Sequence, residues 1–207
     1  MSSRDFILDR VRRNQPAPLA LPEMPRFERP QAPLWEAFAA ALVRMGGVVA
    51  DAPAPGQLDR LVSERFPAAK VICSATPELR GTRELADIHT PGELEDVDLG
   101  IVRGTFGIAE TGSVYLSESE LGINALGFLP QHLLVLLDPA AIVPDLHHAY
   151  RQRGFFDARY AVLMTGPSAT ADIEGVLVRG AQGIRTLTVI PVAAADAGSA
   201  IEAGRTA

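Results

Sequence analysis

The run HLLVLLD, His132–Asp138, restricts this chain more than any other stretch. Its apolar core is far shorter than the roughly 18 residues needed to span a membrane, so it reads as a buried strand. Shorter runs of the same kind surround it: GGVVA (46–50), KVICSA (70–75), LGIVRG (99–104), GSVYLSE (112–118), RYAVLMT (159–165) and RTLTVIPV (185–192). Between the early ones lie segments of helical period. LWEAFAAALVRMG, Leu34–Gly46, ends on a glycine stop, and QLDRLVSERF, Gln57–Phe66, ends at Pro67. TPELRGTREL (76–85) reads as a loop with a short helix, and AAIVPDLHHAYRQ (140–152) as a short strand followed by a helix. Helices alternating with strands at short spacing predict an α/β sheet with helices packed on it. No helix separates GSVYLSE from the next strand, so part of the sheet is expected to be antiparallel or mixed.

Composition fits a chain with a sizeable core. Of 207 residues, 47% are hydrophobic and 21% charged, and the formal net charge is −6. That balance argues against nonspecific nucleic-acid binding, which needs concentrated basic surface. The one dense basic patch, RVRR at Arg10–Arg13, is flanked by Asp5 and Asp9 and reads as a solvated helix face. Cys73 is the only cysteine. It excludes an internal disulfide, and it cannot by itself hold an iron–sulfur cluster. No signal peptide or membrane span is apparent, so a cytoplasmic protein is expected.

Three regions are expected along the chain. Residues 1–33 give a helix, capped by Ser3, and a proline-rich extended arm over Asn14–Pro33. Residues 34–192 form the α/β domain, and residues 193–207 a small-residue tail.

Two loops carry candidate chemistry. TGPSATADIEG, Thr165–Gly175, follows the strand RYAVLMT and should sit at the carboxyl edge of a sheet, where open α/β folds bind ligands. Pro167 biases Gly166 away from helical geometry. Ser168 or Thr170 is expected to cap a helix over ADIEGVLVRGAQG (171–183), with Asp172 and Glu174 in its first turn. The same free N–H groups can hold an anion, although the two carboxylates would repel one. The stretch lacks the lysine of a Walker A loop. In GTFGIAETGSVYL, Gly104–Leu116, Glu110 stands at a tight ETGS turn. A carboxylate there can serve as nucleophile, general base or hydrogen-bond acceptor. It can equally be a solvated turn residue. His89, His132, His147 and His148 show no metal-ligand spacing. The acidic GELEDVD, Gly92–Asp98, reads as a solvated loop.

Taken together, FGIAETGSVYL and LMTGPSATADIEGVLVRGAQG resemble the LUD-domain family, and the lactate utilization protein C group within it. RRNQPAP and LPQHLLVLLDPAAIVP extend the resemblance to nearly the whole chain, Arg4–Val192. It implies a three-layer α/β/α sandwich with a mixed, mainly parallel sheet, similar to the sugar isomerase, CoA-transferase and methenyltetrahydrofolate synthetase superfamily. It also implies a subunit supporting oxidation of L-lactate to pyruvate, beside two iron–sulfur-associated partners, with no cluster or metal of its own. The positions carried over are Ala109, Glu110, Thr111 and Gly112, then Gly166, Pro167, Ser168, Thr170, Ala171, Asp172, Ile173 and Glu174. Glu110 is thereby the candidate base or acceptor. Thr111, Gly112, Gly166, Ser168 and Thr170 are the candidate ligand-binding residues for a small anion, and Pro167, Asp172 and Glu174 the candidate loop and cap residues. The chain departs from the family at Ala169, where arginine is usual. It departs again at Gln182, Gly183 and Ile184, where histidine–glycine–proline is usual. Two further readings stand beside this one: an independent CoA- or nucleotide-dependent enzyme using Glu110, and a non-catalytic interaction module docking through the proline-rich arm.

Overall fold

A computed structural model describes residues 2–17, 19, 20, 22, 33–152, 154–172 and 174–193. The expected tail beyond Ala193, most of the proline-rich arm and Ile173 lie outside the described residues. The chain divides into two compact units, Met1–Pro30 and Gln31–Ala207. In the first, α1 (Ser3–Arg13) starts one residue earlier than expected: Ser2 is the N-cap and forms a reciprocal capping box with Asp5. None of its residues is buried, as expected for the RVRR face.

In the second unit, α2 (Leu34–Arg44), β1 (Val48–Val49), α3 (Leu58–Arg65) and β2 (Ile72–Ser74) come first. β3 (Leu99–Gly104), β4 (Phe106–Ile108), β5 (Ser113–Ser117), α4 (Glu118–Leu121) and β6 (His132–Leu137) form the middle. β7 (Ile142–Val143), α5 (Leu146–Ala149), α6 (Gly154–Asp157), β8 (Ala161–Met164), β9 (Ala169–Thr170), β10 (Val178–Arg179) and β11 (Thr186–Pro191) complete it.

Five strands form a wholly parallel sheet in the order β1–β11–β6–β3–β2, with the HLLVLL run at its centre. Leu133 to Leu137 are all fully buried because both faces of that strand are covered. On one face, Leu99, Ile101, Leu134, Leu136 and Ile190 pack with Val62 of α3. On the other, Val102, Val135, Leu137 and Val189 pack with Phe38 and Leu42 of α2 and with Val114 and Leu116 of β5. Asp98 staples the starts of β2 and β3, accepting from Lys70 N (2.7 Å) and Val71 N (2.9 Å). Those bonds hold its carboxyl below the ordinary carboxylate range.

The largely parallel central sheet with flanking helices agrees with the expected α/β class. The antiparallel pairing lies outside the first sheet: in a mixed four-stranded sheet, β7–β4–β5–β8, where only β7 and β4 run parallel, and in the separate β9–β10 pair. Gly104 allows the two sheets to approach: a Cβ there would lie 2.5 Å from Val114 Cγ1. The outer face of the second sheet packs Phe106, Ile108 and Tyr115 against Ala149 and Phe155. Tyr115 donates its hydroxyl to Gly154 O at 2.7 Å.

One expected element is overturned. ADIEGVLVRGAQG is not a helix: β9 and β10 pair antiparallel, Ala169 opposite Arg179 and Thr170 opposite Val178. Glu174 and Gly175 adopt φ of 53° and 71°, left-handed values that no right-handed helix passes through. Ser168 and Thr170 therefore cap no helix. Asp172 instead accepts from the Thr170 hydroxyl within the turn region, and Glu174 forms part of the reversal.

Candidate functional site

The two loops singled out in the sequence meet at the end of α2. β4 and β5 form a hairpin whose tip is Glu110–Gly112, with Gly112 N donating to Ile108 O at 2.8 Å. Gly112 sits at φ +71°, and a Cβ there would overlap Leu42 N. The tip is thus pressed onto the last turns of α2. Gly166, at φ +70°, approaches the same helix end, where a Cβ would lie 2.7 Å from Met45 O. Side chains join the loops: Thr111 Oγ1 lies 2.7 Å from Ser113 Oγ, which makes a short hydrogen bond with Thr165 Oγ1.

The remaining predicted residues point elsewhere. Glu110 N donates to Pro144 O at 3.0 Å, and its Oε2 accepts from Leu146 N at 3.2 Å. This carboxylate therefore ties the hairpin tip to the start of α5. Beside it, buried Asp145 accepts from His148 N (2.9 Å) and pairs with His148 Nδ1 (2.8 Å). Burial works against ionisation of Asp145, but the bonds from His148 outweigh it and its pKa is lowered. Ser168 donates its hydroxyl to Gln182 O, its N–H to Ile184 O (3.0 Å), and accepts from Gly180 N (2.6 Å). Gly166, Pro167 and Ser168 line a hollow of about 240 Å³ with Phe128, Gln182 and Gly183. Glu110, Thr111, Gly112 and Thr170 do not line it.

Ala169 is not far from a cation. Directly opposite residues of an antiparallel pair put their side chains on one face. Arg179 stands opposite Ala169, and its guanidinium lies over Gly46, where a Cβ would be 2.7 Å from Arg179 Cζ. A cation there also suits the negative end of α2.

A larger cleft, about 420 Å³, opens at the carboxyl edge of the parallel sheet. Its walls are Thr76 and Glu78 after β2, Arg103 and Thr105 at the end of β3, Ser119 and Glu120 of α4, and Asp138 after β6. Arg103 Nε donates to Glu78 Oε1, whose other oxygen accepts from Thr76 Oγ1. Arg103 Nη1 donates to Val192 O at 3.2 Å. Nη2 is buried and has no partner among the described residues. The Glu78 side chain is only 5% exposed and is paired with Arg103. None of these cleft residues stood out in the sequence. The available signals were the arginine inside the apolar LGIVRG and the polar residues at the exits of three buried strands. Among the described residues, no group of three or more His, Cys, Asp or Glu side chains converges as a metal site would require. No helix among them is long and apolar enough to cross a membrane.

Comparison with known proteins adds a family to this geometry. Residues 63–192 match the model of the LUD domain. YkgG of Escherichia coli (strain K12), an uncharacterized protein, is 33% identical over 98 residues, 44% of this chain and 42% of YkgG. Lactate utilization protein C of Oceanobacillus iheyensis is 28% identical over 104 residues, 47% of this chain and 45% of that protein. Lactate utilization protein C of Halalkalibacterium halodurans is 29% identical over 106 residues, 46% of each chain. These alignments span less than half the length of each curated relative. The crystal structure of a DUF162 family protein from Deinococcus radiodurans superposes with a TM-score of 0.60 at 16% identity. It covers 79% of this chain and 99% of that one, a likeness of fold.

Proposed function

The chain belongs to the LUD domain family, and from that membership we propose that it works in a lactate-utilisation system, supporting oxidation of L-lactate to pyruvate beside iron–sulfur-associated subunits. The match over residues 63–192, in a chain similar to two lactate utilization C proteins, carries this reading. A cluster needs several thiolates and the sequence has Cys73 alone, which is buried, so in this reading the iron–sulfur clusters belong to the partners.

Within that role, Glu110 acts as an acceptor that fixes the hairpin tip on α5, supported by its bond from Leu146 N. The hydroxyl cluster of Thr111, Ser113 and Thr165 fixes the tip against the TGPS loop. Small anions in that neighbourhood are drawn by Arg179. Deleting the coding sequence from its source organism should abolish growth on L-lactate while leaving growth on pyruvate intact. Unchanged growth on L-lactate overturns the reading.

A further inference from the structure

We propose that the hollow under the end of α3, at the starts of the parallel strands, binds a small monocarboxylate with an aromatic or branched apolar body, its carboxylate on Arg65 and the Thr188 hydroxyl. The hollow holds about 520 Å³. Arg65, Phe66 and Pro67 at the end of α3 line one side of it, and His132, Thr186 and Thr188 of the sheet line the other.

Thr188 is the residue that calls for a ligand. The side of the sheet that faces α3 is otherwise aliphatic, with Leu99, Ile101, Leu134, Leu136 and Ile190. Side chains two apart on a strand share a face, so β11 presents Thr186, Thr188 and Ile190 on that side. Thr188 stands between Val48 of β1 and Leu134 of β6 and is 2% exposed. The Thr186 hydroxyl is engaged with His132 Nδ1 at 2.8 Å. The Thr188 hydroxyl is hydrogen-bonded to no described residue, and Thr188 lines the hollow. A buried hydroxyl without a partner is costly. Valine would fill nearly the same space without that cost, so the hydroxyl is of use only to something that reaches it through the hollow.

Charge and surface narrow the class. Arg65 is the cation of the lining, which contains no carboxylate among the described residues. Arg65 is exposed, and its guanidinium is paired with no described acidic side chain. His132 adds no charge above its pKa, which burial and then Arg185 lower. Asp98 also acts on His132, but its carboxylate is engaged by Lys70 N and Val71 N. The carbonyl end of α3 carries about half a negative elementary charge, less than the full charge of Arg65. That surplus suits a single negative charge and leaves a phosphate dianion, a nucleotide or a dicarboxylate uncompensated. Phe66, Pro67 and Val48 supply apolar surface for the rest of the ligand. A hydroxy acid of lactate size leaves that surface bare, so the proposal does not rest on the lactate-utilisation reading.

The test is calorimetric titration of the full chain with benzoate, isovalerate, benzyl alcohol and inorganic phosphate, with amide NMR shifts followed on the same samples. Benzoate or isovalerate should bind and shift the amides of residues 65–68, 132 and 186–188. Benzyl alcohol, with a ring but no carboxylate, should bind about tenfold or more weaker. Phosphate, with charge but no apolar body, should not bind detectably. Arg65→Gln and Thr188→Val should each weaken the better carboxylate about tenfold. Arg65 is exposed, so its variant should keep the native urea midpoint. If Thr188→Val fails to fold, Arg65→Gln and the discrimination between benzoate and benzyl alcohol by the unaltered chain decide the matter. Absence of binding by both carboxylates, equal affinity for benzyl alcohol, undiminished binding in either folded variant, or shifts confined to residues 75–78 and 103–105 overturns the proposal. Growth on L-lactate does not enter any of these outcomes, so this assignment and the pathway reading fall separately.

Discussion

Gly112 adopts φ +71° with Leu42 of α2 pressed against its Cα, so two separate penalties meet any side chain placed there. Left-handed geometry costs an L-residue about 1–2 kcal/mol, and overpacking adds about 1–3 kcal/mol. Gly112→Ala should therefore lower stability by about 3 kcal/mol in urea unfolding. Gly175 has the same φ of +71° but open space around it. Gly175→Ala should cost only about 1 kcal/mol, and equal losses at the two sites would show that packing on α2 is not what holds the ETGS tip. His132 carries a different prediction. Burial lowers its pKa, and nearby Arg185 lowers it further. Its ring also pairs with Thr186 Oγ1 at 2.8 Å and faces the Phe66 ring at 5.5 Å. With the folded value below the ordinary value of about 6.5, the unfolded chain binds the proton more readily. The contribution of His132 is thus present above about pH 6.5 and lost as pH falls through the folded value. The urea midpoint of the native chain should drop over that window, and His132→Asn should remove that part of the drop. A variant that titrates like the native chain would refute the assignment.

The hairpin of β9 and β10 shows where local sequence and tertiary pairing part company. Ser-Ala-Thr-Ala-Asp-Ile-Glu has the hydroxyl cap and early acids of a helix start, and local chemistry alone favours that reading. The strand pairing wins because Glu174 and Gly175 reverse the chain and the β-branched Val178 is placed opposite Thr170. Periodicity over so short a stretch cannot distinguish the two. The longer buried runs were legible because no alternative buries them, as at Leu133–Leu137. The same pairing recasts the missing arginine at Ala169, since Arg179 faces it across the ladder. Ala169→Arg alone should cost about 0.5 kcal/mol, because like charges then stand directly opposite. Adding Arg179→Ala should recover that loss, leaving one guanidinium on the same face. A double-mutant cycle by thermal unfolding measures the coupling, and strictly additive effects would mean the two positions do not share a face in solution.

How the strands divide between two sheets was not readable from the chain, because the decision rests on contacts between distant residues rather than on any segment's own pattern. The cleft was hidden for the same reason: Glu78, Arg103 and Asp138 belong to three different strand exits. Gly104 shows what the division demands. It ends β3 in the parallel sheet, while Val114 belongs to β5 in the other, and only the missing side chain lets them approach. Gly104→Ala should overpack this junction and cost about 1–3 kcal/mol. Val114 is fully buried, so Val114→Ala should leave a cavity and cost about 2 kcal/mol. The two changes are complementary in volume, since the added methyl enters the space that Val114 Cγ1 vacates. The double variant should therefore be more stable than the sum of the single losses predicts, by about 1 kcal/mol. Compensation will be incomplete, because the new methyl also meets Leu137 Cδ1 and Val135 Cγ1 at 3.2 Å. Because one apolar cluster contains Val102 and Val135 of the first sheet and Val114 and Leu116 of the second, both sheets should unfold together. Far-ultraviolet circular dichroism and the fluorescence of Trp35, which packs against that same cluster, should give coincident urea transitions in every variant. Two separated transitions, or strict additivity of the two substitutions, would mean the sheets are not coupled through the Gly104–Val114 contact.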